Sequence, residues 1–265
     1  MHRSLSPSPA APVDKTIYPS SDGRPLAETG IHCKNFVALL DILDRHFADD
    51  PWVYVWGNLF VYYERGNKRK HVTPDLFFVR GVPKNPDKPR DYFLCWEEGH
   101  TPDFVIELTS KSTRKEDVGK KKELYRDVLK VREYLLFDPL GDYLKPRLQG
   151  FRLRDGEYEP LNEIDGRLSS EVLGLHFEAE GVDLHVYDPA SGQRLLTTPK
   201  LFDEAAVARD RATAERDRVS AERDRATAER DRAAAERDSV SAENEQLLRE
   251  LAELRRRLDL AGPAS

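Results

Sequence analysis

Residues 102–125 read PDFVIELTSKSTRKEDVGKKKELY, and their two halves set the fold. The first half, 103–109, is a near-continuous apolar run that predicts a strand. Alternation along it puts Phe104, Ile106 and Leu108 on one face, and Asp103, Val105, Glu107 and Thr109 on the other. The second half predicts a helix from Thr113 to about Lys130, with Thr113 and Glu116 spaced as a capping box.

Within the strand, Glu107 is out of place. An ionised carboxylate among apolar neighbours is costly unless it is paired or binds a metal. Upstream, Asp75 enters another short apolar strand, 76–79, directly after Pro74. Two carboxylates on neighbouring strands would make a hard, oxygen-only site suited to Mg²⁺ or Mn²⁺. A Glu salt-bridged at the sheet edge is the plainer alternative. On a wheel of about 100° per residue with Val118 at zero, the apolar side chains Leu124, Tyr125, Val128 and Leu129 centre at about 320°. Lys121 falls at about 300°, inside that face; Lys122 lies on its edge and Lys120 on the solvent side. Lys121 could snorkel, pair with Asp117 one turn earlier, or point back at Glu107 and stabilise charge on a phosphoryl group.

Outward from this segment the chain divides into three pieces. Residues 1–28 are rich in Ser, Pro and Ala and are expected to be disordered. Residues 29–200 hold almost all the aromatic and β-branched residues, enough for one domain with one core. An opening helix is marked by Ile31, Phe36, Leu39, Leu40, Leu43 and Phe47; strands are expected at 52–56, 59–64, 76–79 and 134–137, with shorter ones near 151–154, 172–177 and 184–187. Strands framed by helices imply a mixed α/β or α+β layered fold. Residues 201–260 predict one long helix and 261–265 a disordered end. The 265 residues carry a formal net charge of −6, which argues against a general nucleic-acid coat and confines any such contact to a patch or a metal. The loop 66–71, GNKRKH, could meet a phosphate backbone as such a patch, or could equally be a solvated hairpin tip. No apolar run is long enough for a membrane span, and two distant cysteines, Cys33 and Cys95, exclude a disulfide scaffold. A cytoplasmic location is the expectation.

The ordered set Pro74-Asp75, residues 102–110, Ser112-Thr113, Asp117-x-Gly119-x-Lys121-x-x-x-Tyr125, Glu133-Tyr134 and Asp138-Pro139 resembles the Uma-two-type endonuclease family of the PD-(D/E)xK superfamily. The resemblance spans residues 29–187. It implies a restriction-endonuclease-like mixed sheet flanked by helices, and a site in which Asp75 and Glu107 hold Mg²⁺ (or Mn²⁺) while Lys121 completes the catalytic set. The superfamily's usual lysine slot, two residues after the second acid, holds Thr109 here. The resemblance places the lysine on the following helix at Lys121, with Lys111 ranked below it. It further implies DNA as the substrate. His32 matches a recurrent histidine of the first helix and reads as structural. Glu64 could face the site or simply sit at a sheet edge.

In the tail, Ala-Glu-Arg-Asp recurs at 214, 221, 228 and 235, followed by Leu247, Leu251, Leu254 and Leu258 at coiled-coil spacing. With Leu247 and Leu254 at position d, the same register puts Arg216, Arg223, Arg230, Arg237 and Asn244 at position a. The expectation is a charged, weakly associating helix, with pairs such as Arg218–Glu222, and a leucine-rich end that joins copies of the chain into a homo-oligomer. The whole reads as a Mg²⁺-dependent endonuclease with a coiled-coil tail; a catalytically inactive regulatory scaffold is the alternative.

Overall fold

The computed structural model describes residues 16–20, 30–84 and 89–260; the expected disordered segments 1–28 and 261–265 lie outside them, apart from 16–20. Residues up to Thr198 form one compact unit, and those from Pro199 onward a second.

The first unit opens with α1 (Gly30–His46), whose inner face buries His32, Asn35, Leu39, Ile42 and Leu43. Then come β1 (Val53–Trp56), β2 (Val61–Tyr62), β3 (His71–Val72), β4 (Leu76–Arg80) and β5 (Phe93–Leu94). The short helix α2 (Cys95–Glu98) follows, then β6 (Phe104–Leu108), the 102–125 segment's strand. The segment's helix is broken into α3 (Arg114–Glu116), a π-turn (Asp117–Lys121) and α4 (Lys122–Asp127). Seven more strands complete the unit: β7 (Glu133–Phe137), β8 (Leu148–Arg154), β9 (Glu157–Pro160), β10 (Glu163–Ile164), β11 (Arg167–Ser170), β12 (Leu175–Glu180) and β13 (Asp183–Tyr187).

Six of these strands form a mixed sheet in the order β1-β4-β6-β7-β8-β9. Within it β6 pairs antiparallel with β4 and parallel with β7. The parallel pair needs a crossover, and the broken helix supplies it. Phe104, Ile106 and Leu108 pack on one face of the sheet with α1 and the four-stranded sheet β10–β13. Val105 packs on the other with Tyr125, Leu129, Tyr134 and Leu136. The expected alternation of β6 therefore matches its two environments. All five residues of β6 and of β7 are buried, and each large apolar side chain removed from water contributes about 1.5–3 kcal/mol. A third, three-stranded sheet, β3-β2-β5, carries the aromatic cluster of Tyr18, Phe60 and Tyr62.

Several expectations are corrected. Thr113 does not cap its helix: its backbone is already helical, and its hydroxyl accepts the Ser110 amide instead. The helix closes at Asp127, not Lys130, and Val118 and Val128 are exposed although the wheel placed them on the apolar face. The π-turn changes the angle per residue, so a uniform 100° step loses phase along the segment. The run 59–64 yields only the two-residue β2, because residues from Glu64 onward turn. The polar strands β9 and β10 carry no strong apolar pattern and were not expected.

The second unit is the helix α5 (Thr198–Leu260), 63 residues long, with every described side chain over residues 199–257 exposed. Arg218 bonds back to Glu215 (2.8 Å) where a forward pair with Glu222 was expected. Among the described residues no helix is long and apolar enough to cross a membrane.

Candidate active site

The antiparallel register of β4 and β6 places Leu76 opposite Ile106. One step outward along both strands, Asp75 stands beside Glu107. The two are tied reciprocally: the Asp75 amide donates to Glu107 Oε2 (3.3 Å), and the Leu108 amide donates to Asp75 Oδ2 (2.6 Å). Gly57, in the turn after β1, makes room for this. A Cβ there would stand 1.9 Å from the Asp75 carbonyl oxygen and 2.6 Å from the Phe36 ring. The remaining Asp75 oxygen, Oδ1, faces His32 Nε2 at 3.4 Å, so α1 contributes to the site from the other side of the sheet.

The broken helix supplies the rest. Lys121 Nζ lies 2.9 Å from Glu107 Oε2 and 3.3 Å from Asp117 Oδ1. The Tyr125 hydroxyl donates to Glu107 Oε1 at 2.6 Å. Asp117, Lys121 and Tyr125 are four residues apart, and this line of the helix faces the sheet. The π-turn lies at its start, where the Tyr134 hydroxyl donates to the Asp117 carbonyl (2.9 Å). A side chain bonding into the helix ladder is one recorded cause of such irregularity.

The structure thus brings together Asp75, Glu107 and Lys121. It does not bring Lys111, which is exposed on the turn before α3. Nor does it bring Lys122, whose ammonium sits over the Phe151 ring, 3.3 Å from its centroid. Glu64 is exposed and accepts from Asn67 in its own turn. Glu133 and Asp138, the later acids of the motif set, are fully buried and structural. Glu133 binds Arg152 and Ser170; Asp138 accepts four loop amides, Leu140, Gly141, Tyr143 and Leu144.

Electrostatics make the cluster unusual. Burial pushes the Glu107 carboxyl up to about 8; Lys121 pulls against this, and Asp75 and Asp117 add to it. Burial likewise raises the Asp117 carboxyl against the pull of Lys121. Lys121 is held above the usual ammonium range: burial opposes its charge, but Glu107, Asp117 and Asp75 outweigh it. Asp117 is 1% exposed, and Lys121 and the Thr113 hydroxyl are the groups that face its carboxylate. Three carboxylates, Asp75, Glu107 and Asp117, face one ammonium in a nearly dry pocket; with all three ionised the excess would be two negative charges, and the raised Glu107 and Asp117 carboxyls show the pocket resisting that state. Such an arrangement is costly without a cation.

This donor set fits a divalent metal. The oxygens are hard, the excess charge is of the right sign and size, and the Asp75 side chain keeps 16% of its surface open. Among the described residues no group of three or more His, Cys, Asp or Glu forms a ready-made cage. Mg²⁺ characteristically needs none, taking one or two carboxylates together with water and substrate phosphates. Asp117 and Tyr125 are readable in the sequence by their four-residue spacing around Lys121. That His32 meets Asp75 has no sequence signal, because the contact joins segments 43 residues apart.

Comparison with known proteins places the chain. The model of the Uma2 family, described as "Putative restriction endonuclease", matches residues 14–184. A solved structure described as a putative nuclease belonging to DUF820, from Anabaena variabilis, is 17% identical to the chain, with a TM-score of 0.41. That similarity covers 55% of this chain and 75% of that one. No curated protein matches.

Proposed function

Because the chain belongs to the Uma2 family, we propose that it is a divalent-metal-dependent endonuclease that hydrolyses phosphodiester bonds in DNA. The observation that carries this reading is the meeting of Asp75, Glu107 and Lys121 at the end of two central strands. Asp75 and Glu107 would hold the metal. When bound, a divalent cation supplies Lewis-acid charge to the phosphate and makes a nearby water more acidic. The chain's own residues do the rest. The Tyr125 hydroxyl and the Asp75 amide fix the two oxygens of Glu107, and His32 fixes Asp75. Lys121, anchored by Asp117, puts a positive charge where the phosphoryl group gains negative charge. The basic loop 66–71 leads through β3 to Asp75 and supplies contacts to the phosphate backbone.

The tail joins two copies of the chain through its heptad seam. The direct test incubates plasmid, linear and branched DNA with Mg²⁺ or Mn²⁺, comparing the natural chain with Glu107→Gln. Metal-dependent cleavage by the natural chain alone is the expected result. Thr109, buried in the superfamily's usual lysine slot, favours a second reading, an inactive scaffold assembled through its tail. Absence of cleavage on every substrate, with self-association intact, would select it.

A further inference from the structure

We propose that the tail forms a parallel, in-register, two-stranded coiled coil with a second copy of this chain, so that two nuclease units are held at one end of one rod. The proposal rests on the self-association reading above and adds its direction and its recognition code.

The heptad register runs without interruption from Arg209 to Leu258. With Arg216, Arg223, Arg230 and Arg237 at position a, the residues just before them, Glu215, Glu222, Glu229 and Glu236, occupy position g. Arginines at a would repel across a parallel seam if they stood alone. In a parallel pair, however, each g residue flanks the a position that follows it on the partner helix. Every Arg therefore meets a Glu, once on each side of the seam. Position e carries Thr213, Ser220, Thr227, Ala234 and Ser241, so no charge there competes for the glutamates. In an antiparallel pair g faces g, which would set Glu against Glu along the rod. Charges beside the seam are what fix partner and orientation in coiled coils.

Asn244 supplies an independent argument. It sits at position a between the repeat and the leucine end. A single Asn at a specifies register and two-strandedness, because only in-register parallel pairing lets the two amides bond each other. In the isolated helix these groups are available: the side chains at a, d and g over residues 209–257 are exposed, and Glu215 bonds only within its own helix, to Arg218.

Direction matters because α5 has 63 residues, and a helix of that length is about 95 Å long. Parallel pairing brings the two Thr198 ends together; full antiparallel pairing would hold them about 95 Å apart. Only the parallel form lets two sites act on the two strands of one short stretch of duplex.

The test uses the full chain with Cys33→Ser and Cys95→Ser as background. Val219→Cys, at position d, and Arg237→Cys, at position a, which full antiparallel pairing would set opposite each other, are made separately, one with a size tag. They are mixed, allowed to exchange, and oxidised with diamide. Parallel pairing predicts dimers by light scattering and disulfides only between like chains. Dimers that link only unlike chains, or dimers that do not link at all, overturn the orientation and leave self-association standing. A monomer overturns both. A fourfold variant, Glu215→Lys, Glu222→Lys, Glu229→Lys and Glu236→Lys, should dimerise at least about tenfold more weakly at low salt; unchanged association would overturn the charge code.

Discussion

Glu107 has no exposed surface, and its charge is opposed by burial and by two other carboxylates. Its folded-state pKa lies above its ordinary value of 4.5, at about 8. A carboxyl raised on folding stabilises the protein most below the unfolded value, and that stabilisation is lost as pH rises through the folded one. Thermal unfolding of the metal-free chain should therefore show stability falling between about pH 4.5 and 8. Glu107→Gln should flatten that fall, since Gln can still accept from Tyr125. A metal competes with the proton, so the Mn²⁺-induced rise in Tm should grow across the same window and vanish in Glu107→Gln; a rise that persists would remove Glu107 from the metal site. Lys121 gives a separable outcome. Lys121→Ala should abolish cleavage and retain Mn²⁺ binding, because the lysine is not a ligand. It should also lower the stability of the metal-free chain, by leaving Glu107 and Asp117 without their counter-charge. Lys111→Ala and Lys120→Ala, both exposed, should match the natural chain in each assay. A dead Lys111→Ala beside an active Lys121→Ala would reassign the lysine.

At the scale of elements, the turn between β1 and β2 and the loop between β2 and β3 each control part of the site. Gly57→Ala would drive a methyl group into the backbone of Asp75. The expected result is a loss of about 1–3 kcal/mol or more in stability and of most Mn²⁺ stabilisation, measured by thermal unfolding with and without metal. Natural stability and metal response in Gly57→Ala would show that the backbone yields without cost. In the loop, Lys68, Arg69 and Lys70 are exposed and make no ion pair with any described carboxylate. Their replacement by Ser should weaken DNA binding in EDTA and flatten the dependence of log K on log salt by about 0.9 per lost phosphate contact. An unaltered slope would place the DNA elsewhere. The elements also show what the sequence discloses. The strand of Glu107, its alternation and the inward Lys121 are legible because they depend on local period. The π-turn is not, since it arises where Tyr134, from a distant strand, bonds the Asp117 carbonyl. The failed Thr113 cap follows from a similar competition, in which Ser110 claims the hydroxyl first. β9 and β10 are polar surface strands whose pairing is set by their neighbours, and no apolar pattern announces them.

For the whole molecule, the first unit has its own core, while the side chains of the tail over residues 199–257 are exposed. Removing residues from Leu247 onward should leave a folded monomer, while the intact chain should run as a dimer at micromolar concentration. The leucine end alone carries side chains worth about 1.5–3 kcal/mol each when buried. Light scattering on both forms decides the matter; a truncated chain that keeps the same assembly would move the interface into the first unit. Four Ala-Glu-Arg-Asp repeats at a seven-residue period between Ala214 and Asp238 form a ruler whose divisions cannot be told apart. Two such helices could slide by seven residues, lose one heptad of contacts, and match everywhere else in the repeat. Asn244 and the leucines beyond it break that translational degeneracy, acting as the stop at the end of the scale. Repeats could then be added or removed in whole sevens, changing the length of the rod without disturbing its alignment.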